Sequence, residues 1–311
     1  MKKLWGLLIL VMVISLLLGP AGLGLPKEWI FFQLRVPRVM LAVLIGAGLG
    51  VSGAAMQGVL RNGLADPGLL GISGSAALFS VIVYYWGISA VFAPALPIAG
   101  MIGAAVAAAA LLGLAGRRPS IASLILAGLV VSALSAAFLS LALTLAPNPF
   151  ALAEISLWLM GGLENRSLLH LAMAAPPILV GIVVLLRVGR GLDALALGEA
   201  TAASLGFAAD RSLWICAIGV ALAVGPGCAV AGGIGFVGLI VPHILRPYFG
   251  QRPRVLLAPS CLLGAVLVVV ADLVARIFPI LWPQLPEPRL GVMTAMIGAP
   301  VSIAIARRVL P

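Results

Sequence analysis

The chain has 311 residues, of which 63% are hydrophobic and 9% charged, with a mean hydropathy of +1.23. Soluble globular domains carry charge on about a quarter of their residues, so this composition excludes a soluble fold and makes the bilayer the main solvent. The formal charge of +10 does not mark a nucleic-acid partner, because Lys and Arg come singly or in pairs between apolar segments and never as a longer run.

Apolar runs of roughly twenty residues, the length that crosses a hydrocarbon core of about 30 Å, recur from end to end. Ten spans fit, over residues 4–22, 36–60, 69–86, 90–115, 120–146, 168–186, 213–230, 234–245, 255–277 and 291–306. The expected fold is therefore an all-α polytopic membrane protein of about ten transmembrane helices, forming one domain over residues 1–311. Met1-Lys2-Lys3 followed by an apolar stretch also has the layout of a secretory signal. With everything downstream embedded in the membrane, it is read as a retained first span. The eighth span is short and broken: Gly232-Gly233-Ile234-Gly235 and Pro242 bracket it. Such breaks belong where protein or a water-filled cavity replaces lipid.

Ten crossings with a cytoplasmic amino terminus place thirteen of the 19 Lys and Arg residues on the inner side. These include Lys2, Lys3, Arg61, Arg117, Arg118 and Arg246. Six fall outside: Lys27, Arg35, Arg38, Arg166, Arg276 and Arg289. That asymmetry follows the positive-inside rule and supports both termini being cytoplasmic.

Few groups could carry chemistry. The only lysines are Lys2, Lys3 and Lys27, so no Gly-Lys-Ser/Thr phosphate loop exists, and ATP hydrolysis would need another polypeptide. Cys216, Cys228 and Cys261 sit in apolar stretches without metal-ligand spacing and read as small buried hydrophobes. His170 and His243 stand alone. The polar segment 191–210 reads as two short helices around Gly198 and Gly206, carrying Asp193, Glu199 and Asp210. It serves either as a plain connection or as a cytoplasmic docking platform. Arg35 and Arg38 straddle Val36-Pro37, while Asp272 and Arg276 lie one helical turn apart. Arginines at a membrane edge usually anchor in the interface. In the fifth span Ser132, Ala136, Ser140 and Thr144 recur every four residues. This makes one face of small and polar side chains, suited equally to helix packing or to lining a path.

Several segments together resemble one family, the permease subunits of type II ABC importers for ferric siderophores, haem and vitamin B12. They are residues 34–38 (LRVPR), 46–57 (GAGLGVSGAAMQ), 61–71 (RNGLADPGLLG), 195–206 (LALGEATAASLG), 235–246 (GFVGLIVPHILR), 271–276 (ADLVAR) and 291–300 (GVMTAMIGAP). The resemblance implies a ten-helix subunit that pairs with a second copy of itself around a central path. Two ATP-binding subunits, which hold ATP and Mg, would lie below and a periplasmic binding protein above, with no cofactor on this chain. It implies that Arg35, Arg38 and Arg276 meet glutamates of the binding protein. Leu197, Gly198, Glu199, Ala200, Ser204, Leu205 and Gly206 would seat against the ATPase, and Asn62, Gly63 and Leu64 would form the cytoplasmic gate. Gly63 departs from the family, which usually has proline there, so gate stiffness differs. Ser132, Ser140 and Thr144 are the candidate path lining. The substrate implied is an iron chelate, haem or a ferric siderophore, with cobalamin as the alternative. An ion-coupled secondary transporter would place ionisable groups near the middle of its spans, and an intramembrane enzyme would need converging catalytic groups. The spans hold almost no such residues.

Overall fold

In hydrocarbon every backbone N–H and C=O must find a partner within the protein, and a helix does this within one segment. The computed structural model describes residues 1–19, 22–24, 27–92, 94–116, 119–146 and 148–309. Helix α1 (Lys2–Leu17) leads into a short antiparallel ladder, β1 (Leu18–Gly19) with β2 (Gly22–Leu23). Next come α2 (Glu28–Leu60), α3 (Ile72–Tyr85), α4 (Ala95–Ala115), α5 (Ile121–Thr144), α6 (Pro149–Leu159) and α7 (Leu168–Arg187). Two short helices, α8 (Gly189–Ala196) and α9 (Glu199–Ser204), precede α10 (Ala209–Ala231), α11 (Val237–Phe249), α12 (Pro253–Leu281) and α13 (Leu290–Val309).

Among the described residues, α2, α4, α5, α7, α10 and α12 are long and apolar enough to cross a membrane, and α3, α6 and the start of α13 are shorter apolar helices. Taking α1, α3, α11 and α13 as crossings as well gives the expected ten. Their alternation brings both termini to one end, called proximal here; the other end is distal. Arg117 and Arg118, counted on the inner side from sequence, lie outside the described residues.

Four boundaries differ from the sequence reading. The first helix stops at Leu17, where the chain turns into the β1–β2 ladder. The third starts at Ile72, because Pro67–Leu70 forms a separate 3-10 turn that ends on Gly71 at φ 72. The eighth is a regular helix from Val237, but its 13 residues span only about 20 Å at 1.5 Å per residue. Helix α6 falls where only a loop was read. Asn148-Pro149 was its overlooked start signal: Asn148 Oδ1 accepts from the Ala151 N–H at 2.8 Å, and Pro149 occupies the first turn, where its missing N–H costs nothing.

Helix α2 is the axis of the bundle. Its most apolar stretch is 83% buried, against 28% for α5 and for α7, which therefore lie at the periphery. Between membrane helices there is little hydrophobic drive, so close van der Waals contact must hold the bundle, and small residues permit it. A Cβ added at Gly46 would lie 2.3 Å from the Gly264 carbonyl oxygen of α12, and one at Gly50 2.1 Å from that of Ser260. At Gly48 it would lie 2.5 Å from Ala223 O of α10, and at Gly53 2.0 Å from Gly238 O of α11. The glycines of residues 46–57 thus let three helices touch the α2 backbone.

The irregular stretch before α11 is tied to its neighbours through backbone hydrogen bonds. Gly162 N donates to Ala231 O at 2.7 Å, Gly233 N to Leu159 O at 3.3 Å and Gly291 N to Met160 O at 3.1 Å. The end of α6, the α10–α11 connection and the start of α13 are thereby joined through their backbones. This is how non-helical chain survives at membrane depth.

If this packing holds the bundle, Gly53→Val should lower thermal stability in detergent sharply, by at least the roughly 1–3 kcal/mol of ordinary overpacking. Gly113→Val in α4, where an added Cβ meets nothing within 4 Å, should leave it unchanged. Equal melting of the two variants would refute the packing argument.

Candidate functional site

The distal end carries the arginines singled out from sequence. Arg35 Nη1 donates to Leu16 O at 2.8 Å, Leu17 O at 3.0 Å and Gly24 O at 3.0 Å, so it caps the carbonyl end of α1. Its guanidinium crosses Gly19, where an added Cβ would lie 2.1 Å from Nη2. Arg276 Nη1 donates to Ser15 O at 2.9 Å and Leu18 O at 3.1 Å, and its Nη2 meets the Ser15 hydroxyl. Arg38 Nη2 donates to Asp272 Oδ1 at 2.8 Å and its Nε to the same oxygen at 2.9 Å; Nη2 also meets Glu287.

Asp272 is the hub. Only 1% of its side chain is exposed, and it faces Arg38 on one side and, 3.0 Å away, Arg276 Nε on the other. This last contact pairs charges, although the N–H is not aimed for a hydrogen bond. All three arginines are engaged within the chain. Removing one partner of a buried ion pair typically costs about 3–5 kcal/mol, because the other charge is stranded. Ser15 and Glu287 went unnoticed in the sequence, since a serine in an apolar helix and a glutamate in a loop carry no local signal.

At the proximal end residues 62–65 form a turn. Ala65 N donates to Asn62 O at 3.1 Å, and Leu64 N to Asn62 Oδ1 at 2.9 Å. Asp66 continues the pattern, its Oδ1 accepting from Gly68 N at 2.8 Å, and its Oδ2 would lie 3.2 Å from a Cβ added at Gly238, at the start of α11. Gln57 ties α2 to α11 at the same level: its Nε2 donates to Leu239 O at 3.1 Å and its Oε1 accepts from Arg246 Nη2 at 2.7 Å. Arg246 Nη1 lies 3.2 Å from His243 Nε2. Sequence reasoning missed Gln57 and Arg246 as partners, although a lone glutamine inside an apolar span is itself a signal.

Next to this turn, α8 and α9 form a ledge. Asp193 Oδ1 accepts from the Arg254 N–H at 3.0 Å, fastening α8 to the start of α12. Ala194, Leu195 and Ala202 form a small separate core with Phe207 and Ala209 packed on it. Gly198 at φ 111 and Gly206 at φ 80 bound α9. Leu197 and Leu205 are left 66% and 57% exposed, with Glu199, Ala200, Ser204 and Gly206 also on the surface. The ledge thus buries its own small core and shows two leucines outward.

On α5, Ser132 Oγ reaches Leu69 O at 3.4 Å, while Ser140 and Thr144 face outward and Thr144 Oγ1 bonds Ser140 O at 2.9 Å. The buried hydroxyl pair is Ser75 with Ser135, 2.6 Å apart, on a face the four-residue spacing did not pick out.

A polytopic bundle with a proximal turn, an outward-facing ledge and a distal ionic cluster has the architecture of a transport permease. The chain belongs to the FecCD transport family, whose model matches residues 7–308. It is 37% identical over 307 residues to the vitamin B12 import system permease protein BtuC of Vibrio cholerae, covering 96% of this chain and 90% of that one. It is also 37% identical over 280 residues to the Fe(3+) dicitrate transport system permease protein FecD of Escherichia coli, covering 89% and 85%. A metal-chelate type ABC transporter solved in an inward-facing conformation superposes with a TM-score of 0.88 at 30% identity, over 99% of both chains.

The turn makes a specific prediction. Gly63 is its second residue, the position proline favours, and its N–H bonds nothing among the described residues. An added Cβ would lie 2.9 Å from Arg246 Nη1 and 3.2 Å from the His243 ring, side chains that would have to shift by a few tenths of an ångström. Gly63→Pro should therefore insert and assemble normally, and gain about 0.4–1 kcal/mol in stability by restricting the unfolded chain. Thermal melting in detergent checks this, and a variant that fails to insert would show that the turn needs the freedom of glycine.

Proposed function

We propose that this chain is the membrane-spanning subunit of an ATP-driven importer for an iron chelate, haem or a ferric siderophore, and that it acts as a homodimer. The observation that carries the reading is the α8–α9 ledge: a rigid seat with Leu197 and Leu205 exposed, beside a chain with no phosphate loop of its own. Two separate ATP-binding subunits would seat there, holding ATP and Mg, with residues 191–210 acting as the coupling segment of a single domain over 1–311. Because Asp193 fastens the ledge to α12, and Asp272 and Arg276 lie at the far end of that helix, one rigid element would link both ends.

At the distal end a periplasmic binding protein would dock on Arg35, Arg38 and Arg276, its carboxylates extending the network that Asp272 and Glu287 already hold. Charge-assisted pairs of this kind chiefly fix orientation and encounter rate. Asn62, Gly63 and Leu64 would gate the cytoplasmic end, with both termini on that side of the bacterial inner membrane. Ser132, Ser140 and Thr144 would line the path, with Ser140 and Thr144 exposed in the single chain and covered by the second copy. Cobalamin is the second reading, favoured by the Vibrio cholerae relative at 37% identity over most of both chains.

The test is coupling. The purified chain alone in liposomes should not hydrolyse ATP, whereas the complex should. Glu199→Lys, on the exposed ledge, should leave the complex hydrolysing ATP while cutting uptake at least tenfold. Hydrolysis by the chain alone, or unchanged uptake in the variant, would overturn the assignment.

A further inference from the structure

At the distal end α6 lies over a cavity of about 450 Å³, walled by α3, α4, α7 and the connection from α6 to α7. That volume suits a small organic molecule. Val81, Leu96, Ile155 and Trp158 give it an apolar wall, and Ile155 is the one residue of α6 that is buried. Its two carboxylates and two guanidiniums are not all paired with one another. Glu164 is taken by Arg289, whose Nη1 donates to Glu164 Oε2 at 2.8 Å. Glu154 is taken by the Tyr84 hydroxyl, and His170 Nδ1 lies 3.0 Å from Ser167 Oγ.

Arg166 remains. Among the described residues it has no ion pair, and its buried Nε has no hydrogen-bond partner. Burial disfavours its charged form; Glu164 opposes that and Arg289 adds to it. A half-buried guanidinium with no paired carboxylate carries a desolvation cost, and an arriving anion removes part of it.

We propose that this cavity is a binding site for an organic oxyanion, a carboxylate or phosphate carried on an apolar body, with Arg166 as its charge partner. Nothing in this assignment depends on which chelate is transported. The anion has two sources, an acid from the aqueous phase or the headgroup of an anionic lipid, and guanidinium recognises both through the same paired N–H donors.

The full chain in phosphatidylcholine nanodiscs is titrated with benzoate, with dihexanoyl phosphatidylglycerol, and with benzamide as a neutral mimic of benzoate, and binding is read by saturation-transfer NMR. One of the two anions should bind the wild type and benzamide should not. Benzoate binding would identify an aqueous acid, and the phosphoglyceride a lipid. Arg166→Gln should weaken the bound anion at least tenfold, with Arg166→Lys between the two. Leu96→Trp, which fills the cavity and keeps its charges, should abolish binding, so the proposal stays testable if Arg166→Gln does not fold. If neither anion binds the wild type, or if binding survives Leu96→Trp, the proposal is overturned.

Discussion

Backbone-to-backbone contact along α2 is the constraint on which everything else rests. Bilayer lipid offers neither water for stray polar groups nor much hydrophobic drive between helices, so the bundle must be held by contact area. Glycines at 46, 48, 50 and 53 bring α12, α10 and α11 directly against the α2 backbone. Once these helices are fixed, both ends are positioned. Arg38 of α2 meets Asp272 of α12 distally, and Gln57 of α2 meets Leu239 and Arg246 of α11 proximally.

The same constraint explains where irregular chain is tolerated. The segment before α11 gives up its helical bonds but regains partners from α6 and its connection to α7. The turn at 62–65 is closed by its own asparagine and followed by Asp66, whose carboxylate lies against Gly238 at the start of α11. In both places side-chain or backbone groups of the protein bond the non-helical chain. Both lie against α11, the shortest of the crossing helices.

Much of this was legible in the sequence because membrane helices obey a single strong rule. The second span, 36–60, coincides with the regular part of α2, and the pair Asp272 and Arg276 is one turn apart as its spacing requires. What escaped was long-range or short-lived in sequence. Helix α6 is an 11-residue apolar run in a stretch assigned to a loop, although Asn148-Pro149 announced it. The engagement of Arg35 and Arg276 with the end of α1 depends on residues far away in the chain, some 260 positions for Arg276 and Ser15, and no local pattern encodes it. The α5 serines show the limit of periodicity: the repeat marked Ser132, Ser140 and Thr144, but burial chose Ser135.

The central claim is that motion at the α8–α9 ledge, driven by a partner's ATP hydrolysis, moves substrate through this bundle. The most direct measurement is uptake of ferric siderophore or haem into proteoliposomes holding the complete transporter, with ATP or a proton or sodium gradient as the energy source. The account predicts accumulation that requires ATP and the binding protein and persists when the ion gradients are collapsed. Accumulation driven by a gradient in the absence of ATP would contradict it.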